Sequence, residues 1–583
     1  MSKIIFVCKR SGTLGENTEK HLKKISDELV PDNLTKVPMH QIKVYKSIAY
    51  AMMMCKKPPV SGNGSVLLGN IFRNTKNDYL QPGSAIPDGN YALFRNDDNQ
   101  VEVISDAAGT RTVWYYKDED YFLASTSQRA IIMFLGDFIF NENVIPWMFS
   151  TGSLGPSDSW DRRVKRLQAD ATLTLNKTKW RLNVTKREVD FSVIENSKAS
   201  YTNNITSAIR RTIKNMNFID YKTWILPLSG GYDSRAILCF LREIRELPDY
   251  FRTVTWGLEN SVTEEGNDAK IAVKLAEQIG VKHQYYHTDL SSEPVQLIVD
   301  RFVKCGEGRI DHLAAYMDGL EIWRRFHDEG IEGVIRGDEG FGWSDVSSDL
   351  TVRLNIGCAL CNDFKNLRNL NKFQNFPIQE LPSSYHKKES ESIEQWRDRL
   401  YHIYRLPTIL AALSDIKFSY VEQINPLLSS EILYAVRKLP DVCRTNKALF
   451  KEIVKKVSPD IPMATRSAND STVNILRSNT MVQLIRKELA TDLALSLFTP
   501  EFLKFVCDEI KEKKIQVTFP NKSFGIIASL KRFIPQKMRF WFRNMGVSPS
   551  LDGNKFAFRV FIILRMNQIL NQDKDLLKFH TRK

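Results

Sequence analysis

The sequence predicts an α+β N-terminal part, then an α/β part built on a parallel sheet, and finally a helical C-terminal extension. Three observations support this fold class. The chain has 583 residues, which is more than one hydrophobic core usually serves. Up to about residue 190, short β-like stretches are separated by polar turns. Beyond residue 200, strand and helix patterns alternate, which is typical of a parallel sheet covered by helices.

The N-terminal part is predicted to be mostly β. Residues 65–72 (SVLLGNIF), 91–94 (YALF) and 101–104 (VEVI) have strand-like composition. Residues 88–90 (DGN) and 96–99 (NDDN) between them are turn-forming. We place the first domain at residues 1–190.

The second domain is placed at residues 200–470. Predicted strands cover residues 224–228, 251–257, 283–287 and 331–335. Ser261 and Glu264 form a candidate capping box for a helix that ends at Gly280, and residues 405–456 have a helical pattern. Residues 471–583 form the extension, with helices predicted over residues 491–503 and 556–570.

Charge and composition limit the classes of partner. The chain has 82 Lys and Arg against 68 Asp and Glu, a formal net charge of +14. This leaves open an acidic polymer, a nucleic acid or an anionic membrane surface, although residues 530–543 are explained as well by an amphipathic helix. No signal peptide is evident and no apolar run approaches the ~20 residues that span a bilayer. Scattered cysteines favour a reducing compartment, so we expect a cytoplasmic protein.

One loop carries the clearest chemical signal. The sequence Ser229-Gly230-Gly231-Tyr232-Asp233-Ser234 lies between a predicted buried strand and an apolar helix. Backbone N–H groups at such a turn, with the positive end of the helix dipole, bind phosphate, and the serines add hydroxyl donors. A carboxylate beside phosphate repels it unless a divalent cation lies between them, so Asp233 is a candidate magnesium ligand. No Gly-Lys-Ser/Thr follows the glycines, which excludes a Walker loop.

Two later segments supply further candidates. Gly337 and Asp338 follow the strand at residues 331–335, so Asp338 should emerge at the same sheet edge as Asp233 and share its magnesium. Lys447 falls at the edge of an apolar helical face and could hold polyphosphate, whereas Lys455 points away. Glu422 is a candidate general base or orienting carboxylate, with a surface helical Glu as the alternative.

The sequence resembles the glutamine-hydrolysing asparagine synthetase family, with its β-lactam synthetase and lasso-peptide cyclase relatives. The loop at Ser229 resembles the pyrophosphate-binding loop of the ATP pyrophosphatases. The other matching segments are residues 106–116 (DAAGTRTVWYY), 122–126 (FLAST), 336–343 (RGDEGFGW), 421–428 (VEQINPLL) and 445–451 (TNKALFK). The resemblance implies an N-terminal-nucleophile (Ntn) amidohydrolase-like domain joined to an ATP-pyrophosphatase (PP-loop) domain.

The resemblance also implies a function and a set of site residues. The expected reaction is adenylation of a small-molecule or peptide carboxylate by ATP with Mg²⁺, after which ammonia or an amine attacks the acyl-adenylate. The implied residues are Ser229, Gly230, Gly231, Asp233, Ser234 and Gly337 for ATP and pyrophosphate, Asp233 and Asp338 for metal, and Lys447 and Glu422 for catalysis.

The chain departs from the family at several positions. Ser2 stands where glutamine-hydrolysing members have a nucleophilic cysteine, and Asn70 replaces the Glu that grips glutamine. Ile335 stands where the family has Glu or Tyr, and Ile424 where it has Arg. We therefore expect an N-terminal domain without glutaminase activity. The alternatives are a glutamine-dependent enzyme, an intramolecular lactam or lasso cyclase, a nucleic-acid-modifying PP-loop protein and a non-catalytic scaffold.

Overall fold

The computed structural model describes residues 2–54, 58–72, 77–156, 158–289, 291–513 and 549–577. The basic stretch at residues 530–543 and Met1 lie outside the described residues. The N-terminal strands are β1 (Ser2–Lys9), β2 (Met39–Val44), β3 (Ile48–Met54), β4 (Val66–Ile71), β5 (Gly89–Asn96), β6 (Gln100–Ser105), β7 (Trp114–Lys117), β8 (Tyr121–Ser125), β9 (Lys165–Arg166), β10 (Ala171–Asn176) and β11 (Arg181–Lys186). The helices of this part are α1 (Thr18–Glu28), α2 (Gln128–Leu135) and α3 (Val144–Thr151).

These strands form two antiparallel sheets, which confirms the predicted α+β N-terminal part. The sheet orders are β2-β3-β1-β8-β7-β9 and β11-β10-β6-β5-β4. Alternate side chains of both sheets meet in a shared core, in which the rings of Phe6 and Phe94 stack with centroids 5.6 Å apart. Ile5 and Val7, which alternate with Phe6 in β1, belong to the core that includes α1 and α2 on the other face. This part is therefore a two-sheet sandwich with helices outside.

A turn at Asp106 brings a residue of this sandwich toward the rest of the protein. The buried Asp106 carboxylate accepts hydrogen bonds from the N–H groups of Tyr91 (3.0 Å), Ala108 (3.0 Å) and Thr110 (3.2 Å). Burial raises the pKa of Asp106 to about 6. The turn fixes the backbone that leads into Arg111, which is 1% exposed.

The second part contains a five-stranded sheet with every strand parallel, as predicted. Its strands are β12 (Trp224–Pro227), β13 (Arg252–Gly257), β14 (Lys282–His287), β15 (Gly333–Ile335) and β16 (Glu422–Ile424), in the order β14-β13-β12-β15-β16. The central strand is β12, so the loop that follows it opens at the middle of the carboxyl edge. The helical pattern predicted over residues 405–456 is wrong at β16, a three-residue strand whose signal is lost among the helical residues on both sides of it.

The helices of this part surround the sheet. They are α4 (Lys198–Lys214), α5 (Tyr232–Ile244), α6 (Asp268–Ile279), α7 (Val295–Gly306), α8 (Glu321–Asp328), α9 (Asp349–Ile356), α10 (Ile393–Leu400), α11 (Ala411–Phe418), α12 (Ser430–Val436), α13 (Asp441–Arg444) and α14 (Ala448–Val457). The predicted capping box at Ser261 is wrong. The cap of α6 is Asn267, whose side chain accepts from the N–H of Ala269, and Ser261 lies in a separate 3₁₀ turn.

A wider helical segment joins α10 to α11 without a break. Residues Tyr401–Leu410 form π-type turns around Pro407, which has no N–H to donate to a regular α-helical ladder. Its side chains support the loop after β15. The Tyr401 hydroxyl donates to the Glu339 carbonyl at 3.1 Å, and the His402 ring lies 2.9 Å from the Gly340 carbonyl oxygen.

The last part is helical, as predicted, and it packs into the centre of the molecule. Its helices are α15 (Thr472–Leu476), α16 (Asn479–Leu489), α17 (Asp492–Leu497), α18 (Pro500–Asp508) and α19 (Gly553–Asp573). The predicted helix over residues 491–503 is two helices, because Thr499 and Pro500 begin a new one. No helix of the described ranges is both long enough and apolar enough to cross a membrane.

Helix α19 holds the two larger parts together. It packs against α2 and α3 on one side and against α7 and α16 on the other. Arg129 of α2 forms a two-pronged ion pair with Asp573 at 2.8 and 2.9 Å, and Arg559 pairs with Asp311 at 2.7 Å. The ring of Phe556 packs on Phe149 with centroids 5.2 Å apart.

Candidate active site

The loop between β12 and α5 presents an uncapped helix end. Gly231 is the N-cap residue of α5, and no side chain caps the free N–H groups of the first turn. Ser229 and Ser234 bind each other across the loop, with their hydroxyl oxygens 2.9 Å apart, and the Ser229 N–H donates to the Ser234 hydroxyl at 2.9 Å. The loop is therefore held in shape while its helix dipole faces open space, which suits an anion.

The absence of a side chain serves a different structural purpose at each of the three candidate glycines. A side chain at Gly230 would lie 2.8 Å from Ile271, and one at Gly337 would lie 2.8 Å from the backbone nitrogen of Ser234. These two glycines let protein segments approach each other. A side chain at Gly231 would meet a neighbour at 3.4 Å, the Ser229 hydroxyl. Gly231 is thus the glycine with free space beside it.

Lys447 lies between two carboxylates. Its ammonium is 3.1 Å from an oxygen of Asp233 and 2.7 Å from an oxygen of Glu339. The structure therefore brings together Asp233 and Lys447, which are 214 positions apart in sequence. It also adds Glu339, which lies in the matching segment at residues 336–343 but had no predicted role.

The protonation states of this cluster follow from burial and mutual attraction. Burial raises the pKa of Asp233, and the ammonium of Lys447 partly offsets that rise. Burial likewise raises the pKa of Glu339 to about 7. Burial alone would lower the pKa of Lys447, but the carboxylates of Glu339 and Asp233 outweigh it and hold that pKa above its usual value. Lys447 is consequently a fixed cation at the base of the loop.

The backbone at Lys447 adopts an unusual conformation. Asn446 and Lys447 both have a φ of +57°, the left-handed region that costs a non-glycine residue about 1–2 kcal/mol. Helix α14 begins only at Ala448, so the prediction that Lys447 sits on a helical face is wrong. The strained turn instead directs the ammonium toward Asp233, and such strain is typical of functional sites.

Asp338 and Asp233 line the same cleft, at the carboxyl edge of the parallel sheet. The cleft has a volume of about 240 Å³ and is also lined by Ser229, Ser234, Trp256, Asp268, Arg336 and Asn469. No three metal-ligating side chains converge at one point in the part of the chain that the structure describes. Magnesium commonly uses one or two carboxylates together with substrate phosphates and water. Asp233 and Asp338 fit a magnesium ion that arrives with a nucleotide.

Three lining residues were not singled out from the sequence. Trp256 offers an aromatic face at the end of β13, and Asp268 accepts the Gly230 N–H at 2.9 Å and so fixes the loop. Asn469 comes from the segment before α15. A strand-end tryptophan beside a phosphate-type loop could have indicated a base-stacking surface, whereas Asn469 carries no sequence signal.

Glu422 does not reach this cleft. It begins β16 and pairs in register with Gly333, which is itself level with Trp224 at the start of β12. The loop at Ser229 follows the other end of β12. The carboxylate forms an ion pair with Arg111 of the N-terminal sandwich, so its surroundings are those of the domain junction.

The N-terminal candidate nucleophile is enclosed. Ser2 is 2% exposed, and its hydroxyl accepts a hydrogen bond from Arg111 at 2.8 Å. The guanidinium of Arg111 also stacks on Phe418, with its carbon 4.0 Å from the ring centroid. Gly69 lies against the same guanidinium, since a side chain there would lie 2.9 Å from Arg111 Nε.

The fold and site together define an α/β domain with a free helix end and two carboxylates at the edge of a parallel sheet. Residues 225–307 match the family model described as Asparagine synthase, and this segment includes the loop and α5. The chain thus contains an asparagine-synthase-type domain. Asp338 and Lys447 lie beyond the matched residues. No curated protein sequence matches the chain.

Two solved structures show weak overall similarity. Glutamine phosphoribosylpyrophosphate (PRPP) amidotransferase from B. subtilis, complexed with ADP and GMP, shares 10% identity at a TM-score of 0.20, over 48% of this chain and 65% of its own. A structure described as the allosteric regulatory enzyme of purine biosynthesis shares 9% identity at a TM-score of 0.21, over 49% of this chain and 80% of its own. Similarity at this level carries no information about function.

Proposed function

We propose that the protein is an ATP-dependent carbon–nitrogen ligase that activates a carboxylate as an acyl-adenylate. The observation that supports this most directly is the free N-terminus of α5 beside a cleft that Asp233 and Asp338 line, with the cation Lys447 paired to Asp233. This combination offers donors for phosphate, ligands for magnesium and a positive charge for a departing pyrophosphate.

The cleft suggests a place for each part of the nucleotide. The phosphates would lie on the N–H groups of the loop beside Ser229, Gly231 and Ser234, while Gly230 and Gly337 keep the surrounding backbone close. Trp256 would stack on the adenine, because it offers an aromatic face in the same cleft. Asp233 and Asp338 would hold magnesium, which when bound neutralises phosphate charge.

The proposed chemistry has two steps. A carboxylate oxygen of the acid attacks the α-phosphorus, the bond to the β-phosphate oxygen breaks, and pyrophosphate leaves with the electron pair. Lys447 offsets the negative charge that develops on the leaving group. Ammonia or an amine then attacks the acyl carbon, loses a proton, and AMP departs. The proposal gives Glu422 no proton transfer, because that carboxylate lies at the domain junction.

We propose further that the N-terminal sandwich does not hydrolyse glutamine. The Ser2 hydroxyl is enclosed and hydrogen-bonded to Arg111, and a hydroxyl is a weak nucleophile without an adjacent base. The nitrogen source would then be free ammonia or a substrate amine.

The test is exchange of labelled pyrophosphate into ATP in the presence of candidate acids. Asp338→Asn should lower the exchange rate by orders of magnitude while leaving the ion pairs of Lys447 in place, because Asp338 is not paired with that ammonium. Asp233→Asn should also lower the rate, but it removes one of those pairs as well. Full exchange by Asp338→Asn would show that the Asp338 carboxylate is not a magnesium ligand.

A further inference from the structure

A segment that follows α14 lies across the carboxyl edge of the parallel sheet. We call residues 464–470 the strap, because main-chain hydrogen bonds tie them to two loops at this edge. The Ala464 N–H donates to the Gly230 carbonyl at 3.0 Å, in the loop after β12. The Ala468 carbonyl accepts from the Leu258 N–H at 2.8 Å, just after β13. The strap is therefore fixed in place at two neighbouring strand ends.

Asn469 brings a side-chain amide from the strap to the cleft, which it helps to line. Its Oδ1 accepts a hydrogen bond from the Thr288 hydroxyl at 3.2 Å. Thr288 is 3% exposed and directly follows β14, so it is itself held by the sheet. The Nδ2 of Asn469 donates to no residue that the structure describes, and a carbonyl oxygen has a second lone pair. The amide thus has a fixed position, with a donor group and an acceptor site still unused.

The order of the strands sets the order of these groups along the cleft. The sheet runs β14-β13-β12-β15 across this region. Asp338 follows β15, and the loop at Ser229 follows β12. Trp256 lies near the end of β13, and Asn469 is bonded to Thr288 beyond β14. Neighbouring strands lie about 4.8 Å apart, so a nucleotide whose phosphates lie on the loop can point its base toward Trp256 and Asn469.

We propose that Asn469 recognises the edge of the adenine ring and so selects ATP among purine nucleotides. The proposal rests on the proposed function and adds to it the residue that distinguishes the base. Stacking alone does not make this distinction, because every base has an aromatic face. Trp256 offers such a face, and its own ring is held edge-on by Trp323 with centroids 5.3 Å apart. A polar group at the rim of the same cleft is therefore needed for specificity.

An asparagine amide suits the edge of adenine that carries the 6-amino group. The amide oxygen accepts from that amino group while the amide NH₂ donates to N7. A 6-oxo purine presents acceptors at both positions, so one of the two hydrogen bonds is lost and two oxygens face each other. The free lone pair and the free NH₂ of Asn469 supply the two groups that adenine requires.

The test is calorimetric binding of Mg-ATP and of Mg-ITP, the 6-oxo analogue, to the full-length protein. The unaltered protein should bind Mg-ATP about 5- to 100-fold more tightly than Mg-ITP, the discrimination expected of one paired amide. In Asn469→Ala, Mg-ATP should bind more weakly by a similar factor, and the two nucleotides should then bind alike. The measurement needs no acid, so it does not depend on which carboxylate is activated.

The matched control is Asn474→Ala. Asn474 is an exposed asparagine of α15 whose Nδ2 donates to Asp470 at 2.8 Å, and it does not line the cleft. This variant should keep the affinity for Mg-ATP and the preference over Mg-ITP of the unaltered protein.

The remaining outcomes contradict the proposal in different ways. Equal weakening of Mg-ATP and Mg-ITP in Asn469→Ala would assign the amide to the ribose, the phosphates or the shape of the strap, and would overturn base recognition. Equal affinity of the unaltered protein for the two nucleotides would overturn it as well. Both results would leave the proposed ligase function intact. If the unaltered protein binds neither nucleotide, the proposed function itself is contradicted, and the recognition of adenine with it.

Discussion

Arg111 and Glu422 form an ion pair that joins the first β-sandwich to the last strand of the parallel sheet. The same guanidinium donates to the Ser2 hydroxyl at 2.8 Å and stacks on Phe418 at 4.0 Å. One arginine therefore contacts the enclosed Ser2 on one side and the parallel-sheet domain on the other. The geometry favours a positioning role for Glu422 over direct participation in the chemistry.

The first prediction concerns this pair. Glu422→Gln and Arg111→Met should each lower the free energy of unfolding by about 3–5 kcal/mol, because each leaves a largely buried charge without its partner. The double variant should lose less than the sum of the two. The measurement is urea denaturation of the four proteins in a double-mutant cycle. A Glu422→Gln protein with unchanged stability but no amide formation would instead support a catalytic role for Glu422.

The second prediction separates Lys447 from a neighbouring lysine. Lys447→Ala should abolish pyrophosphate exchange while Mg-ATP binding is largely retained, since it removes the cation that we propose offsets the charge of the leaving group. Lys455→Ala, on the exposed face of α14, should be close to neutral. Calorimetry would report binding and labelled pyrophosphate would report exchange. Equal losses of exchange in the two variants would show that the overall positive charge matters and that Lys447 has no specific role.

The third prediction is a pH dependence at Glu339. Its pKa in the folded protein is about 7, above the ordinary value of 4.5, so the folded form binds more protons between these values. The stability of the protein relative to Glu339→Gln should therefore fall as pH rises from about 4.5 to about 7. Urea denaturation of both proteins at the two ends of this range is the check. A difference that is constant with pH would show that Glu339 ionises as freely as in the unfolded chain.

The fourth prediction concerns glutamine. The protein incubated with glutamine should release no glutamate above background, because the Ser2 hydroxyl is 2% exposed and bound by Arg111. Ammonium should support amide formation instead. The assay is glutamate release by the protein and by Ser2→Ala. Robust glutamate release by the unaltered protein that disappears in Ser2→Ala would support the alternative of a glutamine-dependent enzyme.

Sequence reasoning located most elements of the sheet but not the surroundings of its residues. The strands before Ser229 and Asp338 were predictable because short apolar runs alternate with helical patterns, and their shared edge followed from parallel pairing. Strand β16 was missed because its three residues lie inside the stretch 405–456, whose overall pattern is helical. The helical setting assumed for Glu422 was therefore wrong, and its pairing with Arg111, 311 positions away, has no local signature.

The side chains around the site show the same limit. The matching segment indicated Lys447, but the sequence did not predict the left-handed backbone that directs its side chain. Neither Asn446 nor Lys447 is a glycine, the residue that usually signals this conformation. The Gly230 N–H donates to Asp268, which lies 38 positions later in the chain, and no sequence motif predicted that contact. Distances of this kind arise only once the chain has folded.

The central position of α19 has a consequence for how the protein is made. Chains emerge from the ribosome in order, so the sandwich and the parallel sheet are both synthesised long before Gly553 appears. Until then, apolar surfaces such as that around Phe149 lack the part of their cover that α19 supplies, and the contacts that complete it join residues hundreds of positions apart. The nascent protein should therefore depend on chaperones, and a chain that stops before α19 should aggregate even though every proposed site residue has been synthesised.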